Sequence, residues 1–134
     1  MEVKHIVIHC SDSPNGRVDT AEDIHRWHLE NGWSGIGYHY VIERNGDVKP
    51  GRPHYWEGAH EKSVNHCSLG ICLVGTDQFT DAQWINLESL VDQLLVQYPG
   101  VPVSGHRDHK PSKKCPGFDV KSWWAEAKKQ RGWS

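Results

Sequence analysis

Leu69-Gly70-Ile71-Cys72-Leu73-Val74-Gly75 is a nearly continuous apolar run closed by a glycine. A strand with one wet face alternates apolar and polar residues, whereas a run apolar on both faces reads as a central strand covered on both sides. Covered sheets of that kind are built by chains in which helices and strands alternate. The sequence on either side has that alternation. Upstream, His5 to His9 reads as a strand with Ile6 and Ile8 on one face and Val7 and His9 on the other. Thr20-Ala21-Glu22-Asp23 is a capping box with Asp in place of the usual Glu or Gln. It opens a helix whose inward face carries Ile24, Trp27 and His28 and which stops at Gly32. Tyr38 to Glu43 is a strand, and Asn45-Gly46 turns it into a hairpin with Asp47-Val48-Lys49. Pro50 to Glu61 reads as a loop. Downstream, Thr80-Asp81-Ala82-Gln83 caps the strongest helix, with Trp84, Leu87, Leu90, Val91, Leu94, Leu95 and Tyr98 on one stripe. Pro99-Gly100 ends it, Val101 to Ser104 returns as a short strand, and Asp119 caps a last helix carrying Trp123, Trp124 and Ala127. The expected fold is α/β: a single domain over residues 1–134, with a mixed central β-sheet flanked by helices.

Composition removes several function classes. A chain of 134 residues builds one core without disulfide stapling. Its net charge of −2 lacks the basic excess of a nucleic-acid binder. No apolar run is long enough to span a bilayer, so no membrane insertion is expected. Met1-Glu2-Val3-Lys4-His5 leads directly into a strand, without a signal peptide. Synthesis is therefore expected in the cytosol, where the four cysteines stay reduced. Cys10, Cys67 and Cys72 are expected to be buried.

Ten histidines are dispersed along the chain, and most must be surface or hydrogen-bonded core residues. Two have a more suggestive position. His9 ends the first strand, and His106 follows the last one in Gly105-His106-Arg107-Asp108-His109. Cys115 comes after a loop, in Lys113-Lys114-Cys115-Pro116-Gly117. Residues just past strand ends are where α/β sheets present their sites. Two histidines and a cysteine can hold zinc, and three protein ligands leave a fourth position open, as in catalytic sites. The spacing permits that triad without being a metal signature in itself. His109 lies mid-loop and is expected to be exposed.

The ordered segments Ile8-His9-Cys10-Ser11, Gly35-Ile36-Gly37-Tyr38-His39-Tyr40, Gly58-Ala59-His60, Asn65, Ser68 to Gly75, Gly105-His106-Arg107-Asp108 and Cys115-Pro116-Gly117-Phe118-Asp119 carry a resemblance. Together they resemble the zinc N-acetylmuramoyl-L-alanine amidases, a family that includes amidase-type phage lysozymes and peptidoglycan-recognition proteins. The resemblance runs from about Lys4 to Trp124. It implies a Zn2+ ion in an open groove, held by His9, His106 and Cys115. It implies hydrolysis of the amide joining N-acetylmuramic acid to L-alanine in peptidoglycan. It also places the family's catalytic tyrosine on Tyr38 and its lysine on Lys113 rather than Lys114, whose side chain is expected to point away from the metal. His60 and Asn65 fall at family positions near the groove, as substrate contacts. His39, beside Tyr38, is expected to be structural.

These residues suit amide hydrolysis. A zinc ion with an open position activates water and polarises a carbonyl. Lys113 and the Tyr38 hydroxyl are donors to the oxyanion that forms. There is no His-Glu-x-x-His helix, so the usual glutamate base is missing, and Tyr38 is the candidate for taking the proton of water. The expected role is that of a phage or prophage endolysin, acting as a monomer and released to the wall through a separate pore protein. The alternatives are a cytosolic wall-recycling amidase, whose relatives are usually longer, and a non-catalytic peptidoglycan-binding module, whose relatives typically lack the cysteine. Some phage amidases of this family also bind RNA polymerase through an N-terminal extension. Only eight residues precede His9, which argues against that partner.

Overall fold

The computed structural model describes residues 1–132, so the last two positions of the expected domain lie outside the described residues. One five-stranded sheet runs through it. β1 (His5–Cys10), β2 (Tyr40–Ile42), β3 (Val48–Pro50), β4 (Ser68–Leu73) and β5 (Val103–Gly105) stand in the order β3-β2-β4-β1-β5. β1 pairs in parallel with both β4 and β5, β2 pairs in parallel with β4, and only the β2–β3 hairpin is antiparallel. The sheet is therefore mixed, with the apolar run near its middle. Every residue of β4 is buried.

The side-chain period of two divides the strands between two layers. Ile6, Ile8, Leu69, Ile71, Leu73 and Ile42 pack against the stripes of α2 (Asp81–Gln97) and α4 (Val120–Gln130). On the other face, Val41, Cys72 and Val74 meet Ile24 of α1 (Ala21–Glu30), with Trp27 alongside. Val7 meets Val64 and Cys67 there. His28 shares that inner side, and its Nδ1 accepts the Gly37 amide hydrogen at 2.9 Å.

Both expected capping boxes form. The Thr20 side chain accepts from the Asp23 amide and that of Thr80 from the Gln83 amide, and each acid or amide reaches back to its cap. Gln83 does more. It is fully buried, and its Nε2 donates to the Ile42 and Val74 carbonyls at 3.1 and 2.9 Å. It thereby joins the first turn of α2 to the ends of two strands.

Two local expectations need correction. The second strand begins at Tyr40, not Tyr38, and ahead of it Gly37 runs so close to Ala59 that a Cβ would stand 2.2 Å from its carbonyl oxygen. Tyr38 and His39 thus precede the strand. Asn65–Cys67, in a stretch assigned no element from sequence, forms a 3₁₀ turn, and His106–His109 forms a short helix, α3, where a loop was expected. His109 is consequently half-buried, not exposed: its Nε2 lies 2.8 Å from the Ser104 hydroxyl and its ring stands edge-on to His5.

Candidate metal centre and groove

Strand register brings the two histidines together. Ile8 pairs with Gly105 across the β1–β5 ladder, so His9, still paired with Cys72 in the sheet, and His106, just past β5, stand side by side. Their ring centroids are 4.5 Å apart. Cys115 arrives from the loop before α4, held by a hydrogen bond from the Arg107 amide to its carbonyl at 3.0 Å. Its sulfur accepts the Cys10 amide hydrogen at 3.1 Å and lies 3.9 Å from His9 Nδ1. One ligand atom from each of His9, His106 and Cys115 falls within 4.8 Å of the others, which fits the donor set to a single zinc ion.

Both histidines are backed from behind. His9 Nε2 lies 2.8 Å from His60 Nδ1, and His106 Nε2 lies 2.9 Å from a carboxylate oxygen of the buried Glu61. Metal-binding histidines are normally oriented by such outer partners. Glu61 escapes sequence reasoning, because its contact to His106 spans a long stretch of chain. The only hint is its position next to His60.

Burial shapes the acid–base state of the site. His9 is held well below the usual histidine range, first by desolvation and then by the nearby His60 and His106. His106 is also lowered by burial, against the opposing pull of Glu61. Both are therefore neutral near pH 7, as a ligand must be. The Cys115 thiol is raised by its side-chain contact with the Cys10 thiol and by burial, which outweigh the opposing Cys10 amide hydrogen bond, so without a cation it keeps its proton. Burial likewise pushes the Tyr38 phenol well above its ordinary range, with Cys72 and Cys115 adding to the shift. A phenol that keeps its proton is a hydrogen-bond donor, which argues against Tyr38 as the base.

The triad opens on a cavity of about 490 Å³, whose wall includes Tyr38, Lys113, Lys114 and Asp12. A second cavity of about 410 Å³ continues from it along Lys62, Asn65 and Lys110. Trp33, Ala59, His60, His106 and Lys113 border both, so the two form one groove. The Tyr38 ring centroid is 5.2 Å from that of His9. Lys113 is near enough to lower the His106 pKa. Lys114 borders only the first cavity, where it was expected to point away. Asn65 lines the second cavity, but its Oδ1 is occupied by the His60 and Glu61 amides, each at 2.8 Å. His39 is structural as expected: Gly70 donates to its Nδ1 and Trp56 O lies 2.9 Å from its Nε2. Trp33, which sequence reasoning passed over, presents a 40 % exposed aromatic face to the groove.

Two imidazoles and a thiol at the mouth of an open groove, with His60 and Glu61 behind the imidazoles, form a donor set suited to a single metal ion with an open position. Residues 1–118 match the N-acetylmuramoyl-L-alanine amidase family, and the chain belongs to that family. It is an amidase. The endolysin of Enterobacteria phage T3 is 41% identical over 127 residues, covering 89% of this chain and 83% of that protein. The endolysin of Escherichia phage T7 is 40% identical with the same coverage. Among solved structures, the N-acetylmuramoyl-L-alanine amidase LysC from Clostridium intestinale superposes with a TM-score of 0.84 at 29% identity, over 99% of this chain and 87% of that one.

Proposed function

We propose that this chain is a zinc-dependent phage endolysin that hydrolyses the amide between the lactyl group of N-acetylmuramic acid and L-alanine in peptidoglycan. The observation that carries the reading is the convergence of His9, His106 and Cys115 within 4.8 Å at a groove bordered by Tyr38 and Lys113. Bound zinc supplies an activated water and a polarised carbonyl. The chain's own residues do the rest. As the amide carbon becomes tetrahedral, negative charge gathers on the former carbonyl oxygen. The Lys113 ammonium and the protonated Tyr38 hydroxyl stabilise that charge as it develops. A thiolate ligand leaves the metal less electrophilic than a third imidazole would, so the Lys113 charge has a definite use. Trp33 offers an apolar wall to a sugar ring, and Asn65 borders the far part of the groove as a substrate contact. In this reading the enzyme acts as a monomer, is made in the cytosol and reaches the wall through a pore formed by another protein.

Metal analysis and lysis assays on Cys115→Ser and His9→Ala test the assignment. Both variants should lose zinc and activity together, since each removes one of three ligands. Full zinc retention in both variants would refute the triad.

A further inference from the structure

We infer that His60 is a positioning residue for zinc, fixing His9 in the one tautomer that offers Nδ1 to the metal. The inference rests on the zinc reading and goes beyond it, because it replaces the expected role of His60 as a substrate contact. Proton accounting along a buried chain of hydrogen bonds carries it. The fully buried Ser68 donates its single hydroxyl hydrogen to the Val64 carbonyl at 2.6 Å. Towards His60 Nε2, 3.2 Å away, Ser68 can then only accept. His60 therefore carries its hydrogen on Nε2 and presents a lone pair at Nδ1. That lone pair faces His9 Nε2 at 2.8 Å, so His9 must be the donor there. With its hydrogen on Nε2, His9 keeps the Nδ1 lone pair, and Nδ1 is the atom on the Cys115 side, 3.9 Å from the sulfur. Each link in the relay sets the next.

The fold makes room for this arrangement. A Cβ on Gly58 would stand 2.3 Å from His60 Cδ2, and one on Gly70 would stand 2.8 Å from Cγ and Cδ2. The imidazole lies against two glycines, one of them in β4. Both ring nitrogens of His60 are engaged, so it has no polar ring atom left for substrate. It acts on the reaction through His9. Selecting the tautomer in advance removes a reorganisation that metal binding would otherwise have to drive, and loss of such outer partners typically weakens metal affinity by about 10- to 100-fold.

Two measurements test the inference. Nitrogen-15 NMR of the imidazoles in zinc-free wild-type protein near neutral pH should show His9 and His60 both protonated on Nε2. A His9 ring protonated on Nδ1 would overturn the proposal, whatever the variants do. Zinc competition titrations then compare His60→Phe, which keeps the ring but has no acceptor, with His60→Asn, which places a carbonyl oxygen near the Nδ1 position. The phenylalanine variant should lose about 10- to 100-fold in zinc affinity, and the asparagine variant should recover most of that loss. A role in packing alone predicts the reverse order, and that order would refute the relay. If wild-type protein bound no zinc, the metal reading itself would fail and this inference with it. Zinc binding with indifferent His60 variants would overturn the inference alone.

Discussion

Cys115 and its two imidazole partners differ in what they must give up to hold a metal. His9 and His106 are already neutral near pH 7, because burial disfavours their charged forms. Cys115 holds its proton through the neighbouring Cys10 thiol and burial. Zinc uptake should therefore displace about one proton, and affinity should weaken about tenfold per unit as pH falls through neutrality. Calorimetry in buffers of different ionisation enthalpy counts the protons; a release of two or more near pH 7 would contradict the assignment. At the same scale, Tyr38→Phe and Lys113→Ala should fold and keep zinc, yet each should lose about 10²-fold or more in rate as an oxyanion donor is removed. Lys114→Ala should lose much less, since only Lys113 borders both cavities and lies close enough to shift His106. If Lys114→Ala were the inactive variant, the roles of the two lysines would be exchanged.

Elements bring these residues to one place, and here the sequence was most informative where signals were local. The two capping boxes, the Asn45-Gly46 turn and the apolar β4 run are each contained in a few adjacent residues, and all formed. The candidate triad was legible because His9 stands near the end of one strand and His106 just past another, although no spacing rule brought Cys115 to them. What could not be read was non-local. Tyr38 lies just ahead of the strand, next to the close approach of Gly37 to Ala59, and His60 takes Ser68 and His9 as its partners. Gln83 illustrates the same limit: its place in a capping box is visible, but its bonds to Ile42 and Val74 are not. Thr80→Ala should cost about 1 kcal/mol through the lost cap. Gln83→Ala should cost more, because besides its share of the cap it removes two buried hydrogen bonds, to the Ile42 and Val74 carbonyls, each worth about 0.5–1.5 kcal/mol net. Urea denaturation would compare them, and a smaller loss for Gln83→Ala would show that those two bonds contribute little.

At the scale of the whole molecule, buried histidines tie stability to pH. His9, His39 and His60 all lie below the usual histidine range, chiefly through desolvation, with His60 at about 3. In the unfolded chain each would titrate near about 6.5. Below that value the unfolded state binds more protons than the folded one. Stability is then complete above about pH 6.5 and is lost as pH falls towards about 3, with each histidine contributing a slope of up to about 1.4 kcal/mol per unit. Chemical denaturation of the zinc-free protein across this range measures it, and a flat profile would contradict the neutral, buried state of the three rings. The molecule as a whole is a mixed sheet that ends in a groove able to hold a metal, and the proposed function rests on which bond that groove cleaves. The most direct test is end-group analysis of peptidoglycan digested by the zinc-loaded protein, with and without a chelator. New alanine N-termini, no new reducing sugar ends, loss of cleavage on chelation and recovery on adding zinc are the expected result. New reducing ends, or cleavage undiminished after complete zinc removal, would contradict it.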